Sequence, residues 1–227
     1  MRFLRSIATI LVRISFVPGI LATAEAQDAS PFSPIKDDPA LPRVLLIGDS
    51  ISIGYTLPTR AILAGKANVH RPATNCGNTT RCLRCIDEWL GDGSWDVIHF
   101  NFGIHDIKCP KRDGVNQTHI DQYKKNLQDV ITRLKKTGAT LIWCSTMQSP
   151  EAVCGAPAVD FVTYNAAAKK IMEVNGIPIN DLHAFSLPRL KEIQIPVNSH
   201  FHAKGSKLLA GQVAAAIQEA LDKRDPK

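Results

Sequence analysis

Apolar residues in this chain fall into two spacings that alternate along its length. Short apolar-rich runs occupy residues 44–47, 96–102 and 139–143, and glycine or polar residues stop each of them. Runs of that length and character predict strands buried on both faces. Between them the spacing lengthens. Residues 80–90 set Leu83, Ile86, Trp89 and Leu90 on one helical stripe that ends at Gly91, and residues 118–136 do the same with Ile120, Tyr123, Leu127, Val130, Ile131 and Leu134 before Gly138. Further helices are predicted over 160–174, closed by Asn175-Gly176, and over 203–221, where Leu209, Val213, Ile217 and Leu221 form the inner face. Weaker strand signals lie at 66–70 and 177–179. Strands alternating with helices of ten or more residues predict a parallel sheet covered on both faces, hence one doubly wound α/β domain over 43–227.

The chain ahead of that domain reads differently. Met1 to Arg5 carries two arginines, residues 7–22 are mostly apolar, and Ala24-Glu25-Ala26 has the small-x-small form of a leader-peptidase site. Arg13 and Pro18-Gly19 interrupt the apolar stretch, so residues 1–26 predict a cleaved export signal and no stable membrane insertion. The product would be secreted or periplasmic. Residues 27–42, rich in proline, aspartate and serine, predict an irregular lead-in. Cleavage would leave about 200 residues, enough for one full core, and would remove Arg2, Arg5, Arg13 and Glu25, taking the net charge from +6 to +4.

The remaining positive charge is scattered, and its clusters at Lys124-Lys125, Lys135-Lys136 and Lys169-Lys170 have no interleaved aromatic residues. That pattern fits solvated helix faces and excludes a nucleic-acid footprint. Six cysteines in an exported chain predict disulfides, with Cys144–Cys154 the leading pair and at least two bridges in all. Cys82-x-x-Cys85 lacks the second ligand pair that a zinc site requires, so no metal and no cofactor are expected.

The chemistry gathers where a parallel sheet would bring its strand-end loops together. Ser50 follows the first strand in Gly48-Asp49-Ser50. The loop 75–80 contributes Gly77, the loop 101–106 contributes His105 and Asp106, and the turn before the last helix contributes Asn198, His200 and His202. A hydroxyl nucleophile, a glycine with a bare backbone N–H, a side-chain donor and an imidazole base are the parts of an acyl-transfer site.

In their order these residues resemble the four short blocks of the GDSL or SGNH hydrolases, a family of esterases and lipases. Gly48-Asp49-Ser50 is similar to the first block, Gly77 to the second and Gly103-Ile104-His105-Asp106 to the third. His200, with Phe201, Gly205 and Leu209 behind it, is similar to the fourth. The resemblance spans residues 43–221. It implies a three-layer α/β/α sandwich, a flavodoxin-like parallel sheet of about five strands. It makes Ser50 the nucleophile and His200 the base, with an oxyanion hole from Ser50, Gly77 and His105. Asp49 and Asp106 are expected to hold loop backbones.

Two positions depart from the family pattern. His105 stands where asparagine is usual, a Gly-x-His-Asp form that resembles an exported bacterial branch. Asn198 and Val197 stand where the family usually has an aspartate; Asn198 can orient His200 but cannot stabilise an imidazolium by charge. His202 is the rival base, while His70, His99, His119 and His183 read as structural. The resemblance and export together imply carboxylic esters, O-acetyl groups on carbohydrate above all, as substrates. The alternatives are a catalytically weak or dead carbohydrate-binding protein and an O-acyltransferase.

Overall fold

The structure, a computed structural model, describes residues 30–109, 111 and 113–224. The leader expected at 1–26 lies outside the described residues. Five strands, β1 (Arg43–Ile47), β2 (Asn68–His70), β3 (Val97–Phe100), β4 (Thr140–Cys144) and β5 (Ile179–Asn180), form a sheet in the order β2-β1-β3-β4-β5. Every pairing is parallel, with Val44 beside Val69 and Val97, and Phe100 beside Trp143. This is the 2-1-3-4-5 order of the flavodoxin-like sheet, whose direction of growth reverses between β1 and β3.

Helices cover both faces. On one lie α1 (Ser50–Ile62) and α9 (Ala203–Arg224), packed on each other; on the other lie α2 (Thr79–Leu90), α4 (Ile120–Lys135) and α6 (Ala158–Asn175). Short helices sit in the connections: α3 (Ile104–Ile107), α5 (Glu151–Cys154), α7 (Leu182–Ser186) and α8 (Leu190–Ile193). The fully buried Trp143, Tyr55, Tyr123, Phe100, Phe102 and Phe161 fill the space between layers. Two buried tyrosines use their hydroxyls to close strand-end loops, Tyr123 donating to the Phe102 carbonyl (3.0 Å) and Tyr164 to that of Thr118 (2.7 Å).

Helix α1 is the main departure from the sequence reading, which assigned nothing to residues 50–62. Its buried face is small and polar (Ser52, Thr56 and Thr59 beside Ile51 and Tyr55), and Pro58 lies inside it. Proline removes one helical N–H. Packing against α9 supplies what local propensity does not. The irregular segment 30–42 is tied down rather than loose: Asn68 donates to the carbonyls of Asp38 and Leu41 and accepts from the Asp38 N–H.

All six cysteines are thiols, so the expected Cys144–Cys154 bridge is not formed. Cys144 is wholly buried at the end of β4, with its Sγ toward the Ser145 carbonyl, whereas the Cys154 Sγ turns to the carbonyls of Ser149 and Ala156. The backbone contact of Cys154 is instead with Cys109, whose N–H donates to the Cys154 carbonyl at 2.9 Å. Burial pushes the Cys76 thiol up to about 11 and those of Cys82 and Cys144 well above the ordinary range, so these sulfurs behave as core hydrophobes. Among the described residues no group of three or more side chains could hold a metal, and no helix is long and apolar enough to cross a membrane.

The start of α9 is fixed by a close approach. A Cβ at Gly205 would run into the backbone carbonyl oxygen of Ile193 at the end of α8. Inside an exposed helix Gly→Ala normally stabilises by up to about 1 kcal/mol. Here the sign reverses, and Gly205→Ala should destabilise by about 1–3 kcal/mol. That corresponds to a melting temperature lower by several degrees for a domain of this size, measured by thermal unfolding; an unchanged or raised value would mean the two helices separate without cost.

Candidate active site

The crevice at the carboxyl ends of β1 and β3, where the sheet order reverses, is the place an open α/β sheet offers a ligand. Strand β1 ends at Ile47, and after only two intervening residues α1 begins at Ser50. A Cβ on Gly48 would collide with the Ser52 side chain, so the turn is this tight only because position 48 is glycine. Asp49 caps α1, its carboxylate accepting the Ile51 N–H at 2.8 Å. The Ser50 backbone N–H therefore stands in the first helical turn, where unsatisfied amides and the helix dipole favour developing negative charge.

From 150 positions away His200 reaches this serine: its Nε2 lies 2.8 Å from Ser50 Oγ. Asn198 Oδ1 accepts from both the His200 N–H (2.9 Å) and the His200 Nδ1 (2.7 Å). The backbone donor fixes which end of the amide faces the ring, and that oxygen can only accept. Nδ1 consequently carries the hydrogen, leaving the Nε2 lone pair for the serine hydroxyl. His202 is differently employed. Its Nε2 meets the Glu192 carbonyl and its Nδ1 accepts the Gly205 N–H, so it anchors the start of α9.

The loop bearing Asn198 and His200 is braced on several sides. Gln194 pairs with Phe201 in an antiparallel bridge, the Ile195 N–H donates to the His200 carbonyl, and Ser199 Oγ is 2.6 Å from Ser149 Oγ. Between the braces Val197 has φ +50°, the left-handed region that a β-branched residue rarely adopts. This strained residue directly precedes Asn198 and turns the chain so that the amide faces the ring.

His105, in α3 just after β3, lies beside this pair. Burial holds its imidazole below the ordinary value against the pull of Asp49, with Lys108 and His200 lowering it further. It is therefore neutral near pH 7 and can donate from one nitrogen. Gly77 adopts φ +68°, as glycine readily does, but its N–H is already engaged by Asn75 Oδ1 at 3.0 Å. The sequence leads one to expect that N–H to be an oxyanion donor; in the structure the Asn75 side chain folds back and its oxygen accepts from the N–H two residues on, an Asx-type turn.

Asp106 and Asp49 are structural in their contacts. Asp106 is fully buried and binds the start of α2, accepting from the Thr79 N–H (3.1 Å) and Thr79 Oγ1 (2.6 Å). It thereby ties the loop after β3 to the loop carrying Gly77.

One residue at the site went unread in the sequence. Arg71, directly after β2, is 8% exposed and threads behind the turn that carries Ser50. Its guanidinium donates to Ser52 Oγ (3.1 Å), Thr56 Oγ1 (2.9 Å) and the carbonyls of Gly48 (3.4 Å) and Thr74 (3.2 Å), under the ring of Phe32. It joins the Ser50 turn to the loop that leads to Gly77. A lone arginine ending a buried strand at the sheet's carboxyl edge was the available signal.

No protein-family model matches the sequence, and no curated protein matches it. Solved structures do match its fold. An acetyl xylan esterase superposes with a TM-score of 0.67 at 19% identity, over 77% of this chain and 99% of the other. A lipase/acylhydrolase from Enterococcus faecalis gives 0.68 at 16%, over 78% and 96%. A GDSL-like lipase from Bacteroides thetaiotaomicron gives 0.62 at 16%, over 78% and 88%. At these identities the likeness is one of fold.

Burial lifts the Asp106 carboxyl from 3.8 to about 6, against the lowering effect of the hydrogen bonds from Thr79 and Thr118. A raised folded value means that its contribution to stability is complete below about pH 3.8 and is lost as pH climbs through about 6. Asp106→Asn, which keeps the acceptor but cannot ionise, should match wild type in melting temperature near pH 4. It should gain on it by pH 7, by something on the order of 2–3 kcal/mol. Equal losses at both pH values would mean that the ionised carboxylate is what holds Thr79.

Proposed function

We propose that this chain is an exported serine ester hydrolase of the SGNH type. The observation that carries the reading is the chain of contacts Ser50 Oγ, His200 Nε2, His200 Nδ1 and Asn198 Oδ1, each link a hydrogen bond of 2.8 Å or less. In this reading Ser50 Oγ attacks the ester carbonyl carbon while its proton passes to Nε2. The carbonyl oxygen becomes an oxyanion held by the Ser50 N–H and His105, and by the Gly77 N–H once the substrate oxygen displaces Asn75 Oδ1. Collapse breaks the bond to the alcohol, which leaves with the proton from Nε2. Water, deprotonated by the same nitrogen, then attacks the acyl-enzyme and releases the acid.

Asn198 would orient the imidazole and set its tautomer, as an aspartate does, without adding a charge to stabilise the imidazolium. Such a centre works, at a lower rate than one with a carboxylate in the same place. O-acetyl esters of carbohydrate are the favoured substrates, a choice supported by the acetyl xylan esterase among the structural neighbours and by the leader-like residues 1–26.

A fluorophosphonate probe should label the protein at Ser50, and Ser50→Ala should abolish labelling. Ser50→Ala and His200→Ala should each reduce kcat on short acetyl esters by a factor on the order of 10⁴, with folding intact by circular dichroism. His202→Ala should cost far less in labelling than in thermal stability. Failure of the probe to react with Ser50 would overturn the reading.

Asn198→Asp tests the neutral relay. The new carboxylate beside Nδ1 favours the imidazolium, so kcat should rise while the acidic limb of the pH–rate profile moves to higher pH, since the base must be neutral to act. A variant whose rate and profile both match wild type would mean that Asn198 does not govern His200.

A further inference from the structure

Beside the oxyanion-side residues the surface opens into a cleft of ≈ 400 Å³, lined by Asn75, Gly77, Arg81, Arg84, His105 and Gln117 among others. Arg81 and Arg84 stand one turn apart on α2 and face into it together. Arg81 is bonded only to a neutral oxygen, Thr74 Oγ1, at 3.1 Å, and the Arg84 guanidinium has no partner among the described residues. Among the described residues no carboxylate lines the cleft. Asp87, the next acidic residue along the same helix, is held by Arg133 at 3.4 Å. Two guanidinium groups of one helix thus share an open cleft with Gly77 and His105, and no acid among the described residues forms an ion pair with either.

We propose that this cleft is a specificity subsite for an anionic group carried by the substrate, so that the preferred ester sits on an acidic saccharide. The inference rests on the esterase reading and extends it. A guanidinium presents a planar fork of donors that matches the two oxygens of a carboxylate, or two oxygens of a phosphate, and holds either at a fixed angle. Because His105 and Gly77 line the same cleft as the two arginines, an anion bound by Arg81 and Arg84 lies on the same saccharide chain as the reacting ester. Neutral esters reach Ser50 without that contact. The anion therefore raises kcat/KM through binding and encounter, and salt weakens the effect.

The test compares acetylated uronate oligomers with acetylated xylo-oligomers on the wild-type protein and on Arg81→Gln, Arg84→Gln and the double variant. Wild type should prefer the uronate esters, with the preference shrinking between 0.05 and 0.5 M salt, and the double variant should lower the uronate-to-xylan ratio of kcat/KM about tenfold. Calorimetry with an unacetylated uronate trimer should register binding to wild type, weakened in the double variant, and none of xylotriose. Displacement of the trimer by inorganic phosphate at equal concentration would assign the anion to a phosphorylated saccharide and keep the subsite. An unaltered ratio in the double variant, or trimer binding indifferent to both substitutions, would overturn the proposal. Trimer binding through the arginines without hydrolysis of any ester would overturn the esterase reading and leave the anion subsite standing.

Discussion

There is no room for a side chain at position 48, and the site depends on that. A Cβ there would strike Ser52, so only glycine lets β1 pass into α1 within two residues. The tight turn sets Ser50 at the helix start with its Oγ outward and its N–H unspent by the helix. A longer turn would carry the serine away from the reversal point of the sheet, and His200 would have nothing to bond. Arg71 holds the same turn from behind, through Ser52 Oγ and the Gly48 carbonyl. Ser50, the proposed nucleophile, is thus held on both sides of its own residue.

Charge is distributed unevenly around this turn. The chain of contacts from Ser50 through His200 ends on the neutral amide of Asn198. The buried charges sit one layer away, in Arg71, whose bonded partners are all hydroxyls and carbonyls, and in Asp49 and Asp106, which bind backbone amides. Buried ionic groups cost desolvation and persist where hydrogen bonds replace the lost water. Two of them join loops: Arg71 joins those after β1 and β2, and Asp106 joins the loop after β3 to the one carrying Gly77, while Asp49 caps α1. Loop geometry in this protein is fixed by buried polar contacts, and the strained Val197 is tolerated because its loop is braced by Ser149, Gln194 and Phe201.

Strands β1, β3 and β4 and helices α2, α4, α6 and α9 were legible in the chain because burial imposes a period on the residues that undergo it. Ser50, Asn198 and His200 were singled out differently, by short motifs in a familiar order, and the structure brings the three into one chain of contacts. The spacing of two between Asn198 and His200 lets one side-chain oxygen accept from both the backbone and the ring of the histidine, a local geometry that sequence alone dictates. Helix α1 was not legible, since its buried face is made of serine and threonine and contains Pro58. Its stability comes from α9, which lies more than 140 residues away in the chain.

Cysteine pairing and the state of Gly77 were likewise decided in three dimensions. Whether two thiols meet depends on where loops cross, and Cys154 crosses Cys109 rather than Cys144. Whether a glycine amide is free depends on a neighbouring rotamer, and Asn75 takes it. Arg71 and the Arg81–Arg84 pair read in sequence as ordinary basic residues, because a charge acquires meaning only from what surrounds it. The chain by itself determined the layered α/β fold, through patterns that are local, and its short motifs were enough to single out Ser50, Asn198 and His200 as candidates. Tertiary structure alone decided which polar groups are spent and which remain open to a ligand, because partners distant in sequence consume them.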